Sequence, residues 1–432
     1  LATELEKFDM KHEVYWTDMT PRPAELPTHE LPARADVAVV GGGYCGLNAA
    51  LTLAREGVSV AVLERHTIGW GASSRNGGFC GTGLIVPPQA LAERYGPETA
   101  RALWKWARQS RDFLLDLIRQ EKIECDLDMS GQLSLAYKAS HLAHLKAYRE
   151  IAADWTGSPE PPLLEREALA EEIGSEFFPA ALVLEEGGAL NPAKYVFGLA
   201  SAAAAAGARL VEGADVGRIQ RANGHYRVIT DAGSLRASKV LMATNGYTGR
   251  VAGRARYGII RAACYTIVTE PLPEGLRRSI SPRGRSFFDT RRLLSYFRLT
   301  ADGRMLFGGS DSLAANLDLE GRARNLRRRM LEIFPQLRES VISHVWTGQL
   351  GLTFDQMPHI GREGGVYYAY GFNGHGVTIA SYMGHEVAKL ISGRSTDGLF
   401  QQIEHPRYFF APMESVYMPM VCAWYRWRDR LA

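Results

Sequence analysis

Neither charge sign dominates this chain: 50 Lys and Arg stand against 47 Asp and Glu, a net charge of +3, so a broad nucleic-acid-binding surface is not expected. Cysteine is scarce. Its five occurrences, Cys45, Cys80, Cys125, Cys264 and Cys422, lie far apart and make no CxxC pair. That removes the zinc and redox-dithiol readings, so no metal is expected, and points to reduced thiols in a cytoplasmic protein. No window reaches the roughly 18 apolar residues of a membrane span; "VFGLASAAAAAGA" (196–208) comes nearest and reads as an Ala-rich helix. Residues 1–35 are rich in charge and proline and lack the apolar stretch of a secretory signal. Nothing recurs at a period of about 20–50 residues, and GxSxG, HExxH and GxxxxGK[ST] are absent, which weakens repeat, hydrolase, metalloprotease and kinase readings. What is present is an ordinary globular composition, 46% hydrophobic and 22% charged, over a length sufficient for two or three lobes.

The most informative stretch is "VAVVGGGYCGLNAALTLAREGVSVAVLER" (37–65). Residues 37–40 read as a strand buried on both faces, a helix is expected over 46–56, and "VSVAVLE" (58–64) reads as a second strand. Between strand and helix, Gly41, Gly43 and Gly46 form GxGxxG: the first permits a tight turn, the second a close approach of backbone to pyrophosphate, the third close helix packing. Glu64, 18 residues after Gly46, falls where an acid binds a ribose 2′-hydroxyl. The unit alone does not separate FAD from NAD. Arg65 is also placed to meet the 2′-phosphate of NADP, although Glu64 beside it would repel that group.

Beyond it, "GWGASSRNGGFCG" (69–81) is a small-residue loop able to pass close to a flat polar ring or phosphates. Residues 97–121 carry the apolar spacing of amphipathic helix, and Asn191 with Pro192 opens another that Gly207 closes. "RLVEGADVGRIQ", "HYRVIT" and "SLRASKVLMAT" read as strands, as do "RAACYTIVTE" (261–270) and "RRLLSYFRL" (291–299). In the last, alternation puts Arg292, Leu294, Tyr296 and Arg298 on one face and Phe297 on the other. Residues 366–393 read as a strand, a glycine turn and a long helix from about Thr378, whose N-terminus suits negative charge.

Together, the dinucleotide fingerprint, "GASSRNGG", "ATNG" (243–246) and "GFNGHGVT" (371–378) resemble the FAD-dependent D-amino-acid oxidase superfamily, the glycine- and sarcosine-oxidase-like enzymes. The likeness, greatest to the gamma-glutamylputrescine oxidoreductase branch, runs from "ADVAVVGGGY" to "AWYRWRDRL". It implies an α/β fold: a Rossmann-like FAD-binding domain from residues 31–86, 176–260 and 343–400, and a substrate domain of mixed sheet and helices from 87–175 and 261–342. An N-terminal arm (1–30) and a C-terminal tail (401–432) complete the chain. By the same resemblance Gly41, Gly43, Gly46 and Glu64 hold the ADP part and Val216 meets adenine, with Arg65 beside Glu64 also expected among the cofactor-binding residues. Ser73, Arg75, Asn76, Gly77 and Ala243 approach the flavin, and Gly374, His375, Gly376, Val377 and Thr378 lie by its pyrimidine edge; His375 reads equally as a packed histidine. "GLTFDQMPHIG" (351–361) has no tethering cysteine, so FAD is expected to be non-covalent, and no counterpart of the oxygen-activating lysine stands near "ADGRMLFGG" (301–309).

The implied chemistry is hydride transfer from the carbon beside an amine to flavin N5, then imine hydrolysis, with oxygen as acceptor. The implied substrate is a small carboxylate-bearing amine: iminodiacetate, an N-alkyl glycine or a gamma-glutamyl amine. Tyr265, Tyr296 and Phe297 are expected in a dry roof that desolvates the amine, and Arg298, aided by Arg292, at the substrate carboxylate. In the tail, Trp424, Tyr425 and Trp427 alternate with Arg426, Arg428 and Arg430. That segment reads either as a helix docked on its own protein or as an interfacial helix of a membrane-surface dehydrogenase serving a quinone.

Overall fold

The apolar run ahead of the glycine loop forms strand β1 (Arg34–Val40) in a computed structural model that describes residues 10–309, 318–394 and 398–431. β1 lies between two parallel neighbours, β2 (Val60–Leu63) and β4 (Gly233–Met242). Val37 to Val40 are all buried because helices cover one face and a hairpin the other. β3 (Arg209–Val211) continues the sheet beyond β2, and β9 (Val366–Tyr370) beyond β4. An antiparallel strand, His359–Glu363, closes that edge, and the hairpin Val216–Ala222 with His225–Thr230 pairs onto β4, making eight strands.

On one face of this sheet pack α2 (Tyr44–Arg55), α4 (Pro192–Ala205) and α6 (Gly376–Ile391), with α3 (Pro97–Gln120) outside them. α2 and α6 approach so closely that a Cβ on Gly384 would overlap the Cys45 carbonyl oxygen. α4 starts where its cap was read: the Asn191 side-chain oxygen accepts the N–H groups of Ala193 and Lys194 at 3.1 and 3.2 Å.

The second sheet is also eight-stranded. It runs β8 (Ile342–Leu352), β5 (Ile260–Pro271), β7 (Arg304–Gly309), β6 (Ser295–Leu299), Ser286–Asp289, Gln132–Leu135, Ala180–Leu184 and Leu163–Glu165. All its pairings are antiparallel except Ser286–Asp289 with Gln132–Leu135. Its outer face buries Ile267, Phe287, Phe297 and Phe307 beneath α5 (Leu319–Ile333). Val268, Leu306 and Trp346, on its inner face, join the core of the first sheet's helices.

Several boundaries fall elsewhere than the sequence reading put them. Ala180–Leu184 and β8 belong to the second sheet, although 176–260 and 343–400 were grouped with the dinucleotide domain. Residues 10–30 are not a loose arm: α1 (Tyr15–Met19) buries Tyr15 and Trp16 against the inner face. "RLVEGADVGRIQ" is two strands, split at Gly213, whose φ is +66°. "RRLLSYFRL" is extended only from Ser295, because the buried Asp289 carboxylate takes the Arg291 N–H (3.1 Å) and its guanidinium and turns the chain. Among the described residues no helix is long and apolar enough to cross a membrane.

Candidate active site

The glycine loop is built for contact that a side chain would prevent. Gly41 has φ +109°, and a Cβ there would come within 2.9 Å of the Ala243 carbonyl oxygen, at the end of β4. A Cβ on Gly46 would overlap the Gly41 carbonyl. Gly43 caps α2, and the next N–H, that of Tyr44, is taken by Ser73 Oγ at 3.0 Å. Glu64, just past β2, accepts the Gly42 N–H at 2.8 Å and the His66 N–H at 3.0 Å, which holds the carboxylate over the loop. An open cleft of about 750 Å³, lined by Thr28, His66, Trp70 and Glu212 among others, adjoins this end of β2. A cradle free of Cβ atoms at a helix N-terminus, with an acid at its edge, fits the pyrophosphate and ribose of a dinucleotide. Val216 is buried with Val40, Leu63 and Met242 beside it. Arg65 turns outward to an ion pair with Asp215 (2.8 Å), half exposed.

The loop "GASSRNGG" is pinned from several sides. The Asn76 side chain donates to Ala72 and Ser73 carbonyls and accepts the Gly78 N–H, while its own carbonyl takes the Trp16 indole N–H at 2.9 Å. Arg75 donates to the Trp70 and Thr347 carbonyls (2.8 and 3.1 Å) and lies over the Trp70 ring; its carbonyl accepts from the Trp346 indole. Burial draws the Arg75 pKa down. The loop's far end meets the start of α6, where Thr378 Oγ1 donates to the Gly81 carbonyl at 3.4 Å. Gly374 (φ +89°) there has open space on the side a Cβ would occupy, a Cβ on Gly376 would touch only Phe372 at 4.0 Å, and Val377 is buried. His375 caps α6, half-enclosed, its Nδ1 3.4 Å from the Asn373 carbonyl, and desolvation lowers its pKa. The loop is thus tied to the start of α6 through the bond from Thr378 to Gly81.

Opposite the loop stands the inner face of the second sheet. A Cβ on Gly77 would lie 2.8 Å from the Tyr296 ring, for which Gly308 leaves room on the next strand. The Tyr296 hydroxyl is 2.9 Å from Thr266 Oγ1 and 3.3 Å from Cys264 Sγ, and burial raises its pKa well above the ordinary phenol value.

Four expectations are corrected here. Tyr265 faces the other way, into the core under α5, with the Arg322 guanidinium 5.2 Å from its ring; alternation along β5 gives the inner face to Cys264, Thr266 and Val268 instead. Phe297 lies in that same outer core. Arg298 does reach the inner face, but as a clamp on the main chain. Its guanidinium donates to the carbonyls of Gly77 (2.8 Å), Leu190 (2.7 Å) and Leu299 (3.3 Å), lies over the Trp16 ring, and is drawn down to about 10 by burial. Arg292 sits before the strand, exposed, beside Trp424 and Tyr425. The reading missed Trp16, Trp346, Cys264 and Thr266. The aromatic pair in "EVYWTDM" was the one visible signal for Trp16.

A family model described as FAD dependent oxidoreductase (DAO) matches residues 36–390. A probable oxidoreductase, OrdL, of Rhizobium meliloti (strain 1021) is 34% identical over 423 residues, 96% of this chain and 97% of that protein. The gamma-glutamylputrescine oxidoreductase of Escherichia coli (strain K12) is 34% identical over 403 residues, 92% and 93% of the two chains. Among solved structures, glycine oxidase from Geobacillus kaustophilus superposes with a TM-score of 0.70 at 23% identity, covering 85% of this chain and 96% of that one.

Proposed function

Because this chain belongs to the DAO family of FAD-dependent oxidoreductases, we propose that it oxidises the C–N bond of a small carboxylate-bearing amine, with oxygen as the final acceptor. Bound FAD supplies the two-electron acceptor. In net terms the amine and oxygen give an imine and hydrogen peroxide, and water then splits the imine into a carbonyl compound and a free amine.

The observation that carries this reading is the uncharged wall of Tyr296, Thr266 and Cys264 set against the Gly77 turn. Hydride leaves readily only from a neutral amine. For an amine of pKa near 10, deprotonation at pH 7 costs roughly 4 kcal/mol, at about 1.4 per unit. A dry wall lowers that cost by disfavouring the ammonium form. Tyr296 remains a neutral phenol, because burial holds its pKa high, and so orients rather than removes a proton. Arg298 spends Nε, Nη1 and Nη2 on carbonyl groups, whereas Arg75 spends Nε and Nη1 on them, which leaves the Arg75 Nη2 as the better donor for a carboxylate. Arg75 packs on Gly348, the strand partner of Cys264.

Anaerobic flavin bleaching by a panel of amines tests the proposal. Amines carrying a carboxylate should bleach the flavin, and kcat/KM should rise tenfold per pH unit below the substrate's own pKa. Tyr296→Phe should keep that limb while lowering kcat by no more than about fivefold, the loss of one hydrogen bond's worth of about 1 kcal/mol. Failure of every amine to bleach the flavin would overturn the reading, and loss of the limb in Tyr296→Phe would make the phenol a base.

A further inference from the structure

We propose that α7 (Glu414–Leu431), with the aromatic turn ahead of it, docks the enzyme on an anionic lipid surface. One side of α7 belongs to its own protein: Met418 and Cys422 are buried with Leu293, and Ile260, Tyr417, Val421 and Tyr425 pack around them. A second apolar stripe points away. Val416 (62% exposed), Met420 (64%), Trp424 and Trp427 follow one another at i, i+4, i+8 and i+11, and so share a helix face. Met413 and Phe409, the latter 81% exposed, extend the stripe beyond the helix. Four large side chains of a single helix face left in water, continued by two more, form a patch of the kind that marks an interaction surface.

Charge selects the occupant. Arg426 and Arg428 are exposed on α7, and Arg428 lies 5.6 Å from the Trp424 ring. The neighbouring segment Arg250–Gly258, which abuts Ala411–Met413, adds exposed Arg250, and exposed Arg254 there shares Glu363 with Arg407. Nearby acids have partners inside the molecule: Glu414 pairs with Arg261, Glu363 with Arg407 and Arg254, and Asp429 accepts the Arg292 N–H. A symmetric pairing of two copies would set these arginines against one another. A bilayer of anionic lipid meets them with opposite charge while its interfacial zone receives Trp and Phe. The helix lies along the surface, with Trp424 and Trp427 at headgroup depth.

Flotation of the FAD-loaded protein with phosphatidylcholine vesicles, and with vesicles containing phosphatidylglycerol as well, tests this. Partitioning should be at least about tenfold greater on the anionic vesicles and should fall with added salt. Trp424→Glu combined with Trp427→Glu should abolish it with flavin absorbance retained, and Arg428→Glu should weaken it about fivefold, the equivalent of about 1 kcal/mol per basic residue. Met420→Glu serves the same purpose if the double variant loses its flavin. Absence of partitioning, or partitioning unchanged in these variants, overturns the proposal. A dimer in sedimentation velocity that the same variants dissociate overturns it in favour of a second copy of the chain.

Discussion

Glu64 follows a strand of one large sheet and Arg298 lies in a strand of the other, and each carries a charge aimed toward the cradle and its loop, yet their surroundings have opposite origins. Glu64 stands just past a parallel strand, 22 residues from the Gly42 N–H it accepts, and both ends of that contact lie in one βαβ unit. Arg298 stands inside an antiparallel strand and grips carbonyls 221 and 108 residues away. A contact closed within one short unit is written in local spacing. A contact between distant segments depends on how whole layers stack.

The sharpest break of this contrast lies in the βαβ unit. Gly46→Ala would drive a methyl group into the Gly41 carbonyl, and neither helix nor strand can retreat. Expected is a protein that fails to fold or retains no FAD, read as flavin absorbance per chain; Gly217→Ala, where nothing lies within 4 Å, should be silent. Normal flavin content in Gly46→Ala would mean that the cradle is wider than it stands here.

Next in size is Arg298→Met. It leaves the carbonyls of Gly77 and Leu190 buried without their donor, at a cost of about 2–4 kcal/mol in chemical denaturation. Turnover should fall alike for amines with and without a carboxylate, because the loop that Arg298 holds serves both. A loss confined to carboxylated amines, with stability intact, would restore the ligand role expected from the strand pattern.

The smallest effect belongs to Arg65→Ala. Its ion pair with Asp215 is half exposed on both sides, so stability should change by less than about 0.5 kcal/mol and FAD affinity not at all. A tenfold weaker affinity would show that Arg65 swings back to the cofactor.

Much of this molecule was legible beforehand where period and punctuation coincide. β1, α2 and β2 follow from an apolar run, three glycines and a second run, and Asn191 with Pro192 marked the start of α4. The second sheet was legible only as strands. In 261–270 the strand puts Cys264, Thr266 and Val268 on one face and Ala263, Tyr265 and Ile267 on the other, but both sets are apolar or small enough to be buried, and Tyr265 was expected on the face it does not occupy. Trp16 lay in a segment whose charge and proline masked its role.

The sequence by itself determined the dinucleotide cradle, because turn, helix start and acid are bound to one another by short covalent spans whose geometry local sterics dictate, though that unit alone left FAD and NAD unseparated. The tertiary structure alone decided that Tyr296 rather than Tyr265 faces the loop, that Arg298 is a main-chain clamp, and that α7 has one face docked and one bare. Those outcomes depend on which layer covers which face. For a strand or helix with two buriable sides, that choice is made by the competing core and not by the element's own residues.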